Sequence, residues 1–265
     1  MYDKNIIIQS KNRIAKDYKE FNFLKKYSSE IINKKLKSIN LDFAKVLEIG
    51  FHTGELTDKL EKLKKIKTII STDISIEMIK YYRKKNNILI NIDEECLSFK
   101  EECFDGVFSC LYLNHINDYE KFFLKINKIL KKNSVFLFSI FGSETIKELK
   151  SLLFEADNLV FNGVYPRFNL LFDIKKLGDL LFKLGFKNTV IETELINVKY
   201  KSTKKLMKDL RGMGESNFLK GRRKYFSNKS FFSNVEKKYK FKFLNLEDKT
   251  INSTFEIITA ICWKK

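Results

Sequence analysis

The sequence has few of the residues that break, cross-link or rigidify a chain. In 265 residues there are one proline, ten glycines, four cysteines and two histidines. The cysteines form no C-x-x-C pair, so neither a zinc ribbon nor a redox dithiol is indicated. We expect them to be small buried hydrophobic residues of a reduced, cytoplasmic protein. No apolar run approaches the ~20 residues that span a bilayer, and charges interrupt the beginning of the chain too often for a signal peptide.

Arginine is also scarce, although the chain is strongly basic. The formal net charge is +18, yet only six of the 51 basic residues are arginine, and the basic residues are spread along the whole chain. This even spread, with much Lys, Ile, Asn and Phe, is typical of an AT-rich genome and argues against a nucleic-acid-binding patch. The arginines of the second half are therefore informative, because a guanidinium is a rigid charged fork that binds carboxylates or phosphates. They are Arg167, Arg211, Arg222 and Arg223.

Apolar runs alternate with helix-like segments through the first half of the chain. The runs are AKVLEIG, TIISTD, ILINID, FDGVFSCLYL and SVFLFSIFG. Continuous apolar runs separated by helices of about 10–15 residues are typical of parallel strands covered on both faces. We therefore predict an α/β fold with a doubly wound, mostly parallel, Rossmann-like sheet.

The simplest domain organisation is one domain over residues 1–265 with a helical insertion. Residues 1–40 are predicted to form a polar helical segment, and 41–142 the core of the sheet. Residues 143–188 and 201–245 are predicted to be helical lid or substrate elements, and 189–200 and 254–265 to be closing strands. Neither an internal repeat nor a low-complexity linker interrupts this pattern.

Acidic residues end the first three predicted strands: Glu48, Asp73, and the pair Asp93 and Glu94. In an open doubly wound sheet, ligands bind beyond the carboxyl ends of the strands. A pyrophosphate would need helix N–H groups and basic neighbours, whereas carboxylates suit hydroxyls, amines and a cation. S-adenosylmethionine has all three, and Asp73 is placed for its ribose hydroxyls and Asp93 for its adenine amine. Each acid taken alone is equally explained as a helix N-cap or a solvated loop residue.

The loop after the first strand has an unusual residue between its glycines. Gly50 and Gly54 flank His52, which stands where such loops often have a further glycine. The spacing is not G-x-G-x-x-G, which argues against an NAD-dependent dehydrogenase. Histidine adopts positive φ uncommonly, and its ring must lie either in solvent or in the space of the methionine half of the cofactor. We expect the cofactor to bind, with either a reduced affinity or a different path of the loop.

Several segments resemble a known family. E-x-G-x-x-x-G after the first strand, TDIS after the second and FDGVFSCLYLNHINDYEKFF further on resemble class I S-adenosylmethionine-dependent methyltransferases. DEECLSF, LGDLLFKLGF, LMKDLRGMGESN, GRRK and the closing strand before Trp263 resemble one subgroup. That subgroup contains the biotin-pathway malonyl-thioester O-methyltransferases and the mitochondrial complex I assembly factor that hydroxylates an arginine of a partner subunit. The resemblance covers nearly the whole chain and implies an antiparallel C-terminal strand and a helical lid.

The resemblance also implies roles for residues at the strand ends. The first loop would hold the methionine half of S-adenosylmethionine, the second strand end its ribose, and the third and fourth strand ends its adenine. The implied cofactor residues are Glu48, Gly50, His52, Gly54, Asp73, Ile74, Asp93, Glu94 and Leu111. The candidate catalytic residues follow the fourth strand and are Tyr112, Asn114 and His115. His115 is interpreted equally well as a group that positions the acceptor, as a general base or as a hydrogen-bonded rim residue.

An acidic acceptor would need a cationic clamp. A carboxylate is already nucleophilic, so the protein would contribute alignment and exclusion of water. Arg167 and Arg211 are the first candidates for the clamp, followed by Arg222 and Arg223, and surface salt bridges are the alternative role for the arginines. Asn217 is a further predicted substrate-binding residue. The two glycines of DLRGMG are unfavourable in a helix interior, so this segment is predicted to bend over the pocket as part of the lid. No metal site is predicted.

Three functions remain open from the sequence. The first is methyl transfer to a carboxylate of a small acyl thioester of the malonyl-carrier-protein type. The second is a protein-directed role in respiratory complex I assembly, in which the basic surface docks a subunit and one of its arginines is modified. The third is a partner-binding fold without catalysis, which the missing glycine would permit.

Overall fold

Two helices precede the sheet in the computed structural model, which describes residues 1–82, 88–223, 225 and 229–265. Helix α1 (Lys4–Ile14) begins after Asp3, whose carboxylate accepts a hydrogen bond from the N–H of Ile6. This is the usual way to satisfy one of the free N–H groups at a helix start. Helix α2 (Phe23–Ser38) follows, and both helices lie within the predicted N-terminal helical segment.

The sheet has the predicted topology. Among the described residues, seven strands form one sheet in the order β3-β2-β1-β4-β5-β7-β6. Strands β1 to β5 pair in parallel, and β7 runs antiparallel between β5 and β6. The doubly wound, mostly parallel fold with an antiparallel C-terminal strand is thereby confirmed. The strands are β1 (Phe43–Ile49), β2 (Ile66–Asp73), β3 (Ile88–Asn91), β4 (Phe104–Cys110), β5 (Leu130–Phe141), β6 (Phe186–Tyr200) and β7 (Ile251–Lys264).

Helices connect the strands and cover the sheet. They are α3 (Thr57–Leu60), α4 (Ile76–Tyr81), α5 (Tyr119–Ile129), α6 (Lys147–Phe161), α7 (Ile174–Lys183), α8 (Thr203–Gly212) and α9 (Lys229–Phe243). Side-chain caps start four of them, at Ser75, Asp118, Asp173 and Ser202. The segment ELTDKLEKLKK, which the sequence pattern predicts to be helical, forms a helix of one turn. The segment IEMIKYYRKK is also predicted to be helical, and its residues 83–85 lie outside the described residues.

Both faces of the sheet are buried, as the continuous apolar strands require. On one face Phe136 and Phe138 of β5 pack with residues of α5 and α7, and on the other Leu137 packs with residues of α2. A third apolar cluster joins α6, α8 and α9 to the ends of β5 and β7. We call α6, α8, α9 and the loop 162–172 the lid. Every helix in the described parts of the chain is too short or too polar to cross a membrane.

The register brings the carboxyl ends of the first three strands together. Ile49 pairs with Thr72, and Asp73 pairs with Asn91. The residues that follow β1, β2 and β3 therefore meet at one edge of the sheet. Helix α1 lies over this edge, since Asn12 accepts a hydrogen bond of 2.6 Å from the Ser75 hydroxyl at the start of α4.

Candidate active site

Glu48 is a fully buried carboxyl group near the end of β1. Its Oε2 accepts hydrogen bonds from the hydroxyls of Thr57 (2.5 Å) and Ser71 (2.8 Å). Its Oε1 has no partner among the described residues. Burial raises the pKa of Glu48 to about 7, although both hydroxyls and the charge of Lys25 act in the opposite direction. Glu48 is therefore an acceptor with one unused oxygen that titrates near neutral pH.

The loop after β1 needs both of its glycines. Gly50 has φ +76° and Gly54 has φ +89°, in the region that residues with a Cβ seldom adopt. A Cβ built on Gly50 would lie 1.8 Å from Cγ of Tyr112, so the tyrosine ring rests directly on the glycine backbone. The Lys25 ammonium donates a hydrogen bond of 2.8 Å to the carbonyl of Gly50 from below this loop.

His52 adopts the left-handed conformation itself, with φ 51°. Its N–H donates a 3.0 Å hydrogen bond to Oδ2 of Asp73. The ring is buried, stacks on Tyr18 with centroids 5.0 Å apart and lies edge-on to Tyr112 at 5.1 Å. Burial, with Lys25 and Lys11 nearby, lowers the pKa of His52 well below its usual value, and neither ring nitrogen has a hydrogen-bond partner among the described groups. Of the two paths left open by the sequence, the ring takes the inward one and remains neutral.

Residues that follow β2 and β3 meet at the hydroxyl of Tyr112. Asp73 accepts N–H groups of His52 and Ser75, at 3.0 and 2.8 Å, which fixes its carboxylate. The N–H of Ile74 donates to the Tyr112 hydroxyl at 3.0 Å, and that hydroxyl in turn donates to Glu94 at 3.3 Å. The predicted cofactor residues are thus brought together, with Tyr112 between them.

Lys4 of α1 neutralises the acids after β3. Its ammonium lies 3.1 Å from Asp93, 2.7 Å from Glu94 and 3.1 Å from Glu95. These carboxylates raise the pKa of Lys4 despite its partial burial. Asp93 therefore faces α1, while Asp73 faces the glycine loop, and only Glu94 contacts both Lys4 and Tyr112.

The residues after β4 bend sharply towards the lid. Leu111 has φ 42° and its N–H donates to the carbonyl of Ser139 at 3.0 Å, while its side chain packs in the lid cluster. Asn114 exchanges two 3.2 Å hydrogen bonds with the backbone of Phe141, so it fastens the end of β5. Both polar atoms of the Asn114 amide are used in this pairing. The catalytic role of Asn114 stays a prediction.

His115 belongs to a network that sequence reasoning did not find. Its Nε2 lies 3.0 Å from Nδ2 of Asn169 and 3.3 Å from Oε2 of Glu215. The N–H of Phe218 donates to Oδ1 of Asn169, which fixes the amide so that its Nδ2 donates to His115. In this arrangement Nε2 accepts from Asn169, and the carboxylate of Glu215 receives no hydrogen bond from it.

A cavity of about 240 Å³ lies between the lid and the end of β5. Its walls are apolar, from Phe141, Leu149, Leu153 and Phe168 among others, and its polar lining residues are Lys150, Arg167, Asn169, Arg211, Glu215, Ser216 and Asn217. Phe141 and Glu215 also line a small cleft beside Tyr18, Lys25 and Leu111. Glu215 is therefore at the side of the cavity that faces the glycine loop.

The predicted cationic clamp is divided by the structure. Arg167 lines the cavity, but its Nε donates to Oδ2 of Asp157 at 2.6 Å and its Nη2 bonds the other oxygen of this buried carboxylate. Arg211 lines the same cavity, is exposed, and makes no ion pair or hydrogen bond through its side chain with any described residue. Of the two arginines, only Arg211 has a guanidinium that is not held by Asp157.

Asn217 and Arg222 hold the loop after α8. The amide of Asn217 donates to the carbonyl of Pro166 at 2.7 Å, and Arg222 donates to the carbonyl of Leu219 at 2.9 Å. Within the part of the chain that the structure describes, no group of three His, Cys, Asp or Glu side chains could hold a metal ion.

The residues that the sequence did not single out are Lys4, Lys11, Tyr18, Lys25, Asn169 and Glu215. Lysine is so frequent in this chain that no single one stands out. Glu215 does lie within the segment DLRGMGESN, whose two glycines mark it as a bend. The position of this acid directly after a bend was the one feature of the sequence that could have indicated a role for Glu215.

Known proteins resemble this chain over most or all of its length. Residues 47–138 match the family described as a methyltransferase domain. The mouse protein named arginine-hydroxylase NDUFAF5, mitochondrial, is 32% identical over 268 residues, which are 100% of this chain and 77% of the relative. The chain belongs to the family of the arginine-hydroxylase NDUFAF5. A malonyl-[acyl-carrier protein] O-methyltransferase of Gallionella capsiferriformans (strain ES-2) is 25% identical, over 99% of this chain and 91% of the relative.

Solved structures agree with the fold of this NDUFAF5-family chain. The YcgJ protein of Bacillus subtilis superposes with a TM-score of 0.60 at 14% identity, covering 88% of this chain and 97% of that one. A phosphoethanolamine N-methyltransferase of Haemonchus contortus, in complex with phosphomonomethylethanolamine and S-adenosylhomocysteine, gives 0.55 at 16% identity over 89% of this chain and 52% of that one. The chain therefore has the class I methyltransferase fold.

Proposed function

We propose that the protein binds S-adenosylmethionine at the edge formed by β1, β2 and β3 and acts on a cationic side chain of a protein partner, an arginine, that enters the lid cavity. The choice of an arginine as the acceptor depends on Glu215, whose carboxylate lies at the inner side of an apolar cavity. No described residue donates a hydrogen bond to this carboxylate. The mouse relative, named an arginine-hydroxylase, supports the same choice because it matches this chain over the chain's whole length.

The donor set at the strand ends suits the proposed cofactor. Glu48 has a fully buried oxygen without a partner among the described residues, and Asp73 and Glu94 are fixed at the ends of the next two strands. Hydroxyls, an ammonium and a sulfonium would satisfy such oxygens. When bound, S-adenosylmethionine supplies an electrophilic methyl group. Glu48 would face its methionine half and Asp73 its ribose.

The cavity suits an arginine side chain. Phe141, Leu149 and Leu153 provide apolar walls for its methylene groups, because long cationic side chains bury their stems against apolar surface. Glu215 provides the charge partner at the end that faces the glycine loop. Asn169 already donates to Nε2 of His115, so the acceptor left for a guanidinium is the carboxylate of Glu215.

A second candidate is methyl transfer to the carboxylate of an acyl thioester. It is favoured by Arg211 and Lys150, two cationic side chains that line the same cavity. Lys150 donates to the carbonyl of Ser143 at 2.9 Å, and burial lowers its pKa. Arg167 does not add to this clamp because Asp157 holds its guanidinium. One exposed arginine and a lysine at the cavity wall are a weaker site than the enclosed carboxylate.

The two candidates are separated by incubating the protein and S-adenosylmethionine with two acceptors, a respiratory-complex subunit and a malonyl carrier protein. Intact-mass spectrometry would detect a methyl group gained from S-adenosylmethionine, with loss of a proton from the acceptor, or an oxygen gained when dioxygen and a reductant are also supplied. We expect the subunit to be modified on an arginine, Glu215→Gln to abolish this, and Arg211→Gln to leave it within about twofold, because that residue is exposed. Modification of the carrier protein that depends on Arg211 and not on Glu215 would reverse the choice.

A further inference from the structure

The side chain of Tyr112 lies in the middle of the proposed cofactor site. One face of its ring rests on the backbone of Gly50, where a Cβ would come within 1.8 Å of Cγ. Over the ring lies the Lys11 ammonium of α1, 3.9 Å from the centroid. The edge of Tyr112 meets the ring of His52 at 5.1 Å. A flat side chain thus fills the space between the glycine loop and helix α1.

The hydroxyl of Tyr112 uses the polar groups that a nucleoside would need. It accepts the N–H of Ile74 after β2 at 3.0 Å and donates to Glu94 after β3 at 3.3 Å. Tyr112, which follows β4, therefore satisfies one donor after β2, the N–H of Ile74, and one acceptor after β3, the carboxylate of Glu94. Tyr112 is fully buried, and this burial holds the pKa of its hydroxyl well above the usual value, so it stays protonated.

Helix α1 keeps Tyr112 in this place. Lys11 is almost fully buried and makes no ion pair or hydrogen bond through its ammonium with a described residue; its close contact is the tyrosine ring. A cation over an aromatic face stabilises the pair; burial lowers the pKa of Lys11, and the charges of Asp73 and Glu94 act in the opposite direction. Lys4 ties the start of the same helix to Glu94 at 2.7 Å, and Asn12 ties its end to Ser75.

The backbone on either side of this contact is strained. His52 has φ 51° and Leu111, directly before Tyr112, has φ 42°. Non-glycine residues in the left-handed region store about 1–3 kcal/mol each and are concentrated at ligand clamps and switch regions. One of these residues precedes Tyr112 in the chain, and the other meets the edge of its ring. A rotation of the segment after β4 would relieve Leu111 and withdraw the ring at the same time.

From these contacts we infer that Tyr112 is a gate: its side chain occupies the adenosyl position, Lys11 of α1 holds it there, and S-adenosylmethionine binds only when both have moved. This inference rests on the proposed function, because it assigns the ligand of the same site. It makes α1 a regulatory element, since anything that lifts the helix from Ser75 and Glu94 opens the site.

Calorimetric titration of S-adenosylmethionine and S-adenosylhomocysteine tests the gate without any acceptor. Tyr112→Ala removes the ring, Lys11→Ala removes the cation that holds it, and Tyr27→Ala is the matched control, because Tyr27 is an exposed tyrosine of α2 bonded to Glu194. If the open form is ~10% populated, the ring costs about tenfold in apparent affinity. We expect Tyr112→Ala to bind about tenfold more tightly than the natural chain, Lys11→Ala severalfold more tightly, and the control equally. Lys11→Ala keeps the test available if Tyr112→Ala does not fold.

Stopped-flow kinetics gives the second measurement. The observed rate of the natural chain should approach a plateau as the concentration of S-adenosylmethionine rises, because opening precedes binding, whereas that of Tyr112→Ala should rise linearly. Equal affinities and a linear rate for the natural chain would overturn the gate and leave the proposed function intact. No binding to any variant would overturn both, since the crevice would then not be a cofactor site even without the ring.

Discussion

Glu48 shows how one buried residue can couple the site to pH. Its carboxyl is enclosed by Thr57 and Ser71, and one of its oxygens is unused by described residues. Its pKa of about 7 lies above the ordinary value of 4.5, so the folded chain holds the proton more tightly than the unfolded chain does. Stability from this group is therefore fully present below about pH 4.5 and is lost as the pH rises towards 7.

The corresponding variant is Glu48→Gln. The natural chain should lose up to about 3 kcal/mol of stability relative to this variant between pH 4.5 and 7, and no more above pH 7. Urea unfolding at half-unit pH intervals would measure the difference. Two parallel stability curves would mean that Glu48 is ionised throughout and that its second oxygen has a partner in solution.

His52 is the residue at which the sequence left two conformations open. The N–H bond to Asp73 is made by the backbone and survives any substitution, whereas the ring only contacts Tyr18 and Tyr112. His52→Gly should therefore preserve or strengthen cofactor binding in calorimetry. His52→Ala is the control: it also lacks the ring but keeps a Cβ at φ 51°, and it should be less stable than the glycine variant by about 1 kcal/mol. A large loss of affinity in both variants would assign the imidazole a contact with the cofactor.

The sequence could predict that the acids of the site lie at one edge of the sheet and could not predict the direction of the Tyr112 side chain. Glu48, Asp73, Asp93 and Glu94 follow apolar runs, and the ends of parallel strands must meet at one edge. The direction of Tyr112 depends on the φ of 42° at Leu111, which no local pattern encodes.

At the scale of elements, α1 is attached to the sheet edge mainly through Lys4. Its ammonium lies within 3.1 Å of Asp93, Glu94 and Glu95. Lys4→Met would leave three partly buried carboxylates together and should destabilise the fold by about 1–3 kcal/mol. Chemical denaturation would measure this, with Lys4→Arg as the control that retains the charge. If Lys4→Met is as stable as the natural chain, the three ion pairs are too well solvated to hold the helix.

An ion pair between Arg167 and Asp157 ties the lid loop 162–172 to α6. Arg167→Ala would leave Asp157, which is fully buried, with an uncompensated charge, so a loss of about 3–5 kcal/mol is expected. The double variant Arg167→Ala with Asp157→Asn should recover much of it. Thermal unfolding of the three chains is the measurement. If Arg167→Ala is as stable as the natural chain, Arg167 does not hold the loop, and its predicted role as a clamp for an acidic acceptor would be favoured again.

This pairing shows why the lid was harder to predict than the sheet. Asp157 and Arg167 are separated by the end of α6 and a turn at Asn162, whose φ is 49°. Helical spacing does not predict that these two residues pair. Taken alone, each suggests a ligand-binding residue and not an ion pair that holds the loop. The strands needed only their apolar character to be found, because each is covered on both faces.

At the scale of the whole molecule, the charge of +18 acts on the partner rather than on the fold. Lysines spread over the surface attract an acidic protein from any direction, and salt screens them over about 8 Å at physiological ionic strength. The association rate constant with the respiratory subunit should therefore fall as salt rises, while the dissociation rate changes little. Surface plasmon resonance at several salt concentrations would measure both. A salt-independent association rate would mean that the basic surface has no part in docking.

The pairing of Tyr200 with Ile251 has a consequence for how this family diversifies. Residues 201–250 leave the sheet and return to it at adjacent positions, so α8 and α9 belong to an insertion whose two ends lie side by side. An insertion of this kind can be exchanged for the corresponding segment of another family member without a change in the pairing of β6 and β7. Grafting that segment between a thioester methyltransferase and this chain would exchange Arg211 and Glu215 of the cavity wall while Lys150 and Asn169 stay in place.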